Sequence, residues 1–352
     1  MRLKVGLIGC GGIAPIHLSA YKKLKKNVEV VSLCDLNIER AKFLAKKFKV
    51  KKVFENYMDM IEKNDLDLVD VCTPISTHAQ IVCDIAKDVP AILVEKPMAL
   101  TVSQCDDMIK AVKKYDTKLC IGHNQIFSPH IQKVRTMIDS GMFNLLSLET
   151  TLKGNFDTLL AHNMVSKLNV SPEQRGVIWE VCCHHAYLHL YFLPHIKEVY
   201  AVGGKFKYPV HDDFVVLLRT TDDRFGVIRI SWVSNAFDVV YEFTDVCGKR
   251  INILWEFDCM FEKSDYPPFN FYLVAKNFFV DEKRIFKKWL RLGIRFLKNR
   301  KILPTFNLIQ HYIEAIKNDT FPPISPEDGR KTVALLEAIE ESLNTHLPIK
   351  VN

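Results

Sequence analysis

Leu3-Lys4-Val5-Gly6-Leu7-Ile8-Gly9-Cys10-Gly11-Gly12-Ile13-Ala14 is the stretch on which the fold turns. Leu3–Ile8 is a short apolar run with the length of a buried strand. Gly9 to Ala14 fits G-x-G-x-x-G/A, and a helical pattern over Ile13–Leu24 begins inside it. Each position has a physical task. Gly9 permits a tight turn and Gly11 lets backbone approach a pyrophosphate. Gly12 and Ile13 complete the loop, and Ala14 lets the helix pack closely on the sheet. The helix N-terminus supplies N–H groups and positive potential. A strand, this loop and a helix in that order predict a dinucleotide site.

Working outward, Val28–Cys34 is a second apolar, β-branched run, and Asp35 ends it. A carboxylate there accepts hydrogen bonds from both adenosine ribose hydroxyls and repels a 2′-phosphate. NAD is therefore expected, with NADP disfavoured; Arg40, one helical turn on, works against that preference. Ile38–Phe48 reads as helix, Leu66–Cys72 as strand, Ser76–Lys87 as helix, Ala91–Val94 as strand, Val102–Tyr115 as helix and Lys118–Ile121 as strand. Strands alternating with helices of this length predict a parallel sheet covered on both faces.

Beyond residue 121 the pattern changes. Leu145–Leu152, Glu198–Val202, Phe214–Thr220, Gly226–Val233, Val239–Phe243 and Ile251–Trp255 are strand-like and mostly separated by turns, with one helix over Gly176–Phe192. The fold class expected is α/β: an N-terminal Rossmann parallel sheet over 1–121, then an α+β domain over 122–352 with a large, mainly antiparallel sheet. Helices over Thr305–Lys317 and Pro326–Thr345 close the chain and are expected to pack back on the first domain. Ser325-Pro326-Glu327-Asp328 is a strong helix start.

Composition agrees. The 352 residues are 48% hydrophobic and 25% charged, which excludes a disordered or collagenous chain. Ten cysteines, none spaced C-x-x-C and most inside apolar runs, suit buried thiols in a reducing, cytoplasmic compartment. The net charge of +7 resides wholly in residues 281–301, which hold nine basic and two acidic residues, so the rest is neutral. A general nucleic-acid binder is thereby excluded. The apolar positions inside that basic segment (Ile285, Phe286, Trp289 and Leu290 among them) suit a packed helix with a solvated basic face, or a peripheral membrane contact.

Three further motifs extend the argument. Thr73-Pro74-Ile75-Ser76-Thr77-His78 follows the fourth strand, Glu95-Lys96-Pro97 follows the fifth, and Arg175-Gly176-Val177-Ile178-Trp179-Glu180-Val181-Cys182-Cys183-His184 opens the second domain's helix. With the glycine loop, this set resembles the Gfo/Idh/MocA dehydrogenases over nearly the whole chain. The resemblance implies that Thr73, Pro74 and His78 line the nicotinamide-ribose side, that Glu95 and Lys96 touch cofactor ribose, and that Lys96 also reaches the oxygen on the reacting carbon. It implies substrate between the domains and a homo-oligomer, dimer or tetramer, built on the open sheet face. His184 falls on the family's catalytic histidine. Arg175, Glu180 and Cys182 depart from the family's Gly, Asp and Gly, and Ile126 stands where Arg is frequent in the Asn124–Pro129 run.

Removing hydride from a secondary alcohol needs a base, a cation beside the developing alkoxide and a bound nicotinamide. His184 suits the base and Lys96 the cation, though either can carry the proton. Glu180, four residues before His184, shares its helix face and can bind substrate hydroxyls. Asn124 and His162 join Lys96, Glu180 and His184 as expected substrate contacts. His185 and His189 have metal-pair spacing, but no H-E-x-x-H accompanies them, and no metal is expected. The function expected is NAD(P)-dependent oxidation or reduction at a secondary hydroxyl of a sugar, cyclitol or nucleotide sugar. The alternatives are a non-redox glycosidase that uses NAD transiently, and a non-catalytic dinucleotide-gated regulator.

Overall fold

The structure, a computed structural model, describes residues 2–161, 170–254, 259–263 and 303–351. Six strands, β1 (Leu3–Ile8), β2 (Val28–Cys34), β3 (Lys52–Phe54), β4 (Leu68–Val71), β5 (Ala91–Val94) and β6 (Lys118–Ile121), form one sheet in the order β3-β2-β1-β4-β5-β6. Every neighbouring pair is parallel. β4 and β5 are buried at every position, because helices cover both faces; apart from Asp70 in β4 they therefore read as apolar runs. Strand order reverses between β1 and β4, so the carboxyl ends of those two strands open the crevice in which such sheets bind ligands.

The second sheet holds β7 (Leu145–Asn155), β8 (Ile196–Gly204), β9 (Asp213–Thr220), β10 (Phe225–Ser231), β11 (Val233–Asp245), β12 (Arg250–Leu254), β13 (Cys259–Lys263) and β14 (Ile349–Lys350). Their order is β13-β12-β11-β7-β10-β9-β8-β14. The β7–β10 pair is parallel and the other pairs are antiparallel. Strand alternation places Val199, Ala201, Val216, Leu218 and Ile228 in the core and leaves Val202, Leu217 and Phe225 exposed on the opposite face.

The last two helices return to the first sheet. In helix Leu303–Lys317, the Tyr312 hydroxyl lies 3.0 Å from the Ile92 carbonyl and 2.5 Å from that of Lys118. Helix Pro326–Thr345 starts on a capping box between Ser325 and Asp328. It packs on helix Val102–Tyr115, β6, β8 and helix Cys183–Phe192. Gly329 permits that approach: a Cβ there would lie 2.8 Å from both Ile121 and Met98.

Three features differ from the sequence reading. Short elements, β3, β14 and helix Tyr57–Glu62, are too brief to show a period. Helix Pro129–Asp139 also emerges, behind a Pro at its start. The helix expected over Gly176–Phe192 is composite: Arg175 and Gly176 have positive φ, Ile178–Cys182 is a π turn, and the α-helix runs from Cys183 to Phe192. Residues 281–301 and His162 lie outside the described residues.

Candidate active site

Gly9 has φ +93°, and a Cβ there would sit 2.7 Å from the carbonyl carbon and oxygen of Cys72 and 2.8 Å from the Thr73 nitrogen. The turn after β1 is thus pressed against the end of β4, where the Cys72 N–H donates to the Ile8 carbonyl at 2.7 Å. Gly9 is required by the protein's own backbone. Gly11 and Gly12 are different, because a Cβ on either meets nothing within 4 Å. Their bareness leaves open space over the start of helix Ala14–Lys23, a cradle with the shape and polarity for a pyrophosphate. Ala14 is fully buried against the sheet, while Ile13 is half-buried.

Asp35 braces this loop. One carboxylate oxygen accepts from the Cys10 N–H at 2.6 Å and the other from the Asn37 N–H at 2.8 Å. Asn37 caps helix Ile38–Phe48, and Leu36 and Arg40 are exposed to either side of it.

Across the crevice, Thr73 and Pro74 follow β4. Thr73 is half-buried and Pro74 exposed. His78 is buried beneath them, with Nε2 2.9 Å from the Thr73 carbonyl and Nδ1 3.0 Å from the Pro97 carbonyl. Burial holds its pKa below the ordinary value, partly offset by those carbonyls. His78 therefore sits behind the wall of the crevice, pinning the Thr73 turn to the Lys96–Pro97 turn, whose peptide is cis.

Glu95 and Lys96 follow β5. The Lys96 ammonium donates to the Glu180 carbonyl oxygen at 2.9 Å and lies 3.5 Å from the Glu180 carboxylate. Burial disfavours the ammonium, yet Glu180, with Cys183 and Glu95 behind it, outweighs burial and raises the Lys96 pKa. Glu180 lies within the π turn, whose wider i→i+5 bonding disturbs the usual carbonyl ladder where Lys96 docks.

His184 is the second residue of helix Cys183–Phe192, and its Nδ1 is 2.8 Å from the Tyr187 hydroxyl. That hydroxyl also accepts from the Gln125 N–H at 3.2 Å and lies 3.5 Å from Asn124 Oδ1. Asn124 is anchored in turn by its amide, 3.0 Å from the Thr305 hydroxyl. His123 stacks on the Tyr187 ring at 4.3 Å. Burial, then the charge of Lys96, keeps the His184 pKa well below its ordinary value. The site thus brings together a lysine held charged and a histidine held neutral.

Lys96 meets Glu180, and His184 and Asn124 share the Tyr187 hydroxyl, while Glu95 accepts from the Lys96 N–H. His185 and His189 point elsewhere: the His189 ring bridges the carbonyls of His185 and Leu148 at 2.8 and 3.1 Å. Arg175, at φ +56°, donates to the Leu100 carbonyl at 2.6 Å, pairs with Glu340 and covers the Trp179 ring at 3.7 Å. It ties the approach to the π turn to both domains. Tyr187 and His17, below, were not singled out from sequence. Tyr187 is three residues from His184 and so shares its face; His17 is a polar residue on a buried helix stripe, which requires partners.

Sheet order, glycine cradle and the Lys96–His184 pair define a dinucleotide-binding oxidoreductase fold. Residues 3–123 match the family described as "Oxidoreductase family, NAD-binding Rossmann fold", and residues 131–251 match the "GFO/IDH/MocA C-terminal domain". The chain belongs to the Gfo/Idh/MocA oxidoreductases, and residues 3–123 are their NAD-binding Rossmann domain. Myo-inositol 2-dehydrogenase of Thermotoga maritima is 24% identical over 99% of this chain and 98% of its own. An uncharacterized oxidoreductase of Bacillus subtilis is 26% identical over 40% of this chain, which spans only 41% of that relative. Levoglucosan dehydrogenase, solved with NADH and levoglucosan, superposes with TM-score 0.82 at 17% identity over 100% of both chains, which shows a shared fold.

Proposed function

We propose that the protein is an NAD-dependent dehydrogenase acting on a secondary hydroxyl of a sugar, cyclitol or nucleotide sugar. The observation that carries this reading is geometric: the Lys96 ammonium docks on Glu180 of the π turn at 2.9 Å, and His184, four residues on, is held by the Tyr187 hydroxyl at 2.8 Å. A neutral imidazole can accept the hydroxyl proton, while an ammonium lowers the energy of the developing alkoxide. The bound nicotinamide supplies the hydride acceptor. Glu180 holds Lys96 and offers its half-buried carboxylate to a neighbouring substrate hydroxyl; Asn124 and Gln125 border the His184–Tyr187 pair. Asp35, accepting from the loop N–H and standing beside Gly11 and Gly12, favours NAD over NADP by receiving the ribose hydroxyls. Thr73, Pro74 and Glu95 line the nicotinamide side, with His78 supporting them.

The relatives whose names print an inositol or levoglucosan act on polyols, which supports the substrate class. We read residues 1–121 and 122–352 as the two domains, with the last two helices closing over the first. The exposed Val202, Leu217 and Phe225 suit contact with a second copy of this chain, and buried free thiols suit a cytoplasmic setting. Among the described residues no helix is long and apolar enough to cross a membrane.

The test is absorbance of reduced nicotinamide with NAD, and separately NADP, against inositols, free sugars and UDP-sugars. Stoichiometric reduction of NAD by one class is expected. Sugar turnover without net reduction would overturn the redox reading in favour of a glycosidase, and NAD binding without any turnover would favour a regulator.

A further inference from the structure

Helix Ala14–Lys23 carries His17 on its buried face, fully inaccessible. Its Nδ1 is 2.8 Å from Asp70 Oδ2 and its Nε2 is 2.9 Å from Glu95 Oε1. Both partners behave as acceptors. Asp70 also receives the Tyr21 hydroxyl at 2.8 Å and the Cys72 thiol at 3.4 Å, and Glu95 Oε2 receives the Lys96 N–H at 3.1 Å. With Asp70 and Glu95 both ionised, the two short contacts are hydrogen bonds only if both ring nitrogens carry hydrogen; a neutral ring accepting from a protonated Glu95 would instead leave one ring nitrogen bare.

We propose that His17 is a resident imidazolium that positions Lys96. It is the middle of an alternating line of charges, Asp70, His17, Glu95, Lys96 and Glu180, which runs from the glycine-loop helix to the π turn of the second domain. His17 keeps Glu95 ionised in a buried position. Ionised Glu95 then accepts from the Lys96 backbone N–H and attracts its ammonium, as Glu180 does. Burial would lower the His17 pKa, but Asp70 and Cys72 outweigh burial and raise it well above its ordinary value. Glu95 moves the complementary way: burial would raise it, and the bond and charge of His17 bring it below. The groups facing this pair are Asp70, Tyr21 and Cys72 around His17, and Lys96, His78 and His123 around Glu95.

His17, Asp70 and Cys72 are also the one set of three metal-type donors among the described residues, with ligand atoms within 4.8 Å of each other. A metal on Nδ1 would have to displace the proton that the Asp70 contact uses, so the two readings exclude one another.

The test uses the full chain labelled with 15N-histidine, with His17 identified by its loss in His17→Gln. Both ring nitrogens are expected to be protonated and unmoved from pH 6 to 9. A bare nitrogen in that range, or one shifted by metal and restored by chelation, would overturn the imidazolium. The positioning role rests on the proposed cofactor contacts of Glu95, and NADH fluorescence titration reads it separately. In His17→Gln, the Glu95 pKa should rise, and NADH affinity should gain a pH step of about tenfold, the factor that accompanies one unit of pKa displacement. Removing Asp70 as well, in His17→Gln/Asp70→Asn, should move that step to lower pH. If His17→Gln does not fold, Asp70→Asn alone should bring a His17 titration into the pH 6–9 window. NADH binding by a folded His17→Gln protein that tracks the native pH profile would refute positioning even if the imidazolium stands.

Discussion

Gly9 and Gly11 stand two residues apart in one loop, yet substitution by alanine should fail in two different ways. At Gly9 the added methyl would lie 2.7 Å from the Cys72 carbonyl carbon and oxygen and 2.8 Å from the Thr73 nitrogen, on a backbone at φ +93°. The left-handed conformation costs a side chain about 1–2 kcal/mol. The clash is with backbone, so relief means separating β1 from β4, comparable to overpacking at about 1–3 kcal/mol. Gly9→Ala should therefore lose about 2–5 kcal/mol in urea unfolding of the protein without cofactor. At Gly11 the methyl meets no protein atom within 4 Å. Gly11→Ala should unfold within about 0.5 kcal/mol of the parent, while NADH binding weakens because the methyl fills the approach to the helix N-terminus. Paired urea curves and NADH titrations test both arms. Gly9→Ala melting with the parent, or Gly11→Ala losing stability while binding NADH normally, would refute the division of labour.

Asp35→Ala removes the acceptor for the Cys10 and Asn37 N–H groups and should cost about 1.5–3 kcal/mol; NADH and NADPH titrations should show the preference for NADH shrinking. Tyr187→Phe deprives His184 Nδ1 and the Gln125 N–H of a partner; stability should fall by about 1–2 kcal/mol, and kcat/KM on the substrate found by the panel should drop with NADH affinity unchanged. Acid should unfold the protein steeply, because burial holds His123 and His185 down to about 3 and His189 down to about 4. The unfolded chain binds protons at these rings below about pH 6.5 and the folded one does not, so stability falls with pH, approaching about 4 kcal/mol per unit between pH 5.5 and 4. Urea midpoints over that range check the slope, and midpoints that stay level would contradict it.

The first sheet was legible because β4 and β5 lie between two helical layers and are apolar except at Asp70, and because the glycine loop follows β1 without a gap. β3 and β14 were not, since three and two residues carry no period. In the candidate site, Lys96 and His184 stand out in the sequence because motif and position coincide. The π turn was hidden: Val177 to Cys183 is buried on nearly every side, so the sequence there shows no face that a change of helical pitch could displace. Tyr187 and His17 act through distances set by tertiary packing. His17 nonetheless left a trace, sharing the stripe of Ala14, Leu18 and Tyr21 on which an unpartnered polar ring would be costly.

The dependence of the first sheet on helix Pro326–Thr345 has a consequence for biosynthesis. The ribosome delivers β6 some two hundred residues before Gly329 arrives to seat against Ile121 and Met98, both fully buried in the finished protein. Throughout that interval a nascent chain carries its nucleotide-binding strands complete in sequence but with one apolar wall uncovered, a surface that invites chaperones or neighbouring nascent chains. A premature stop near residue 320 should accordingly be as damaging to the amino-terminal half as one placed far earlier.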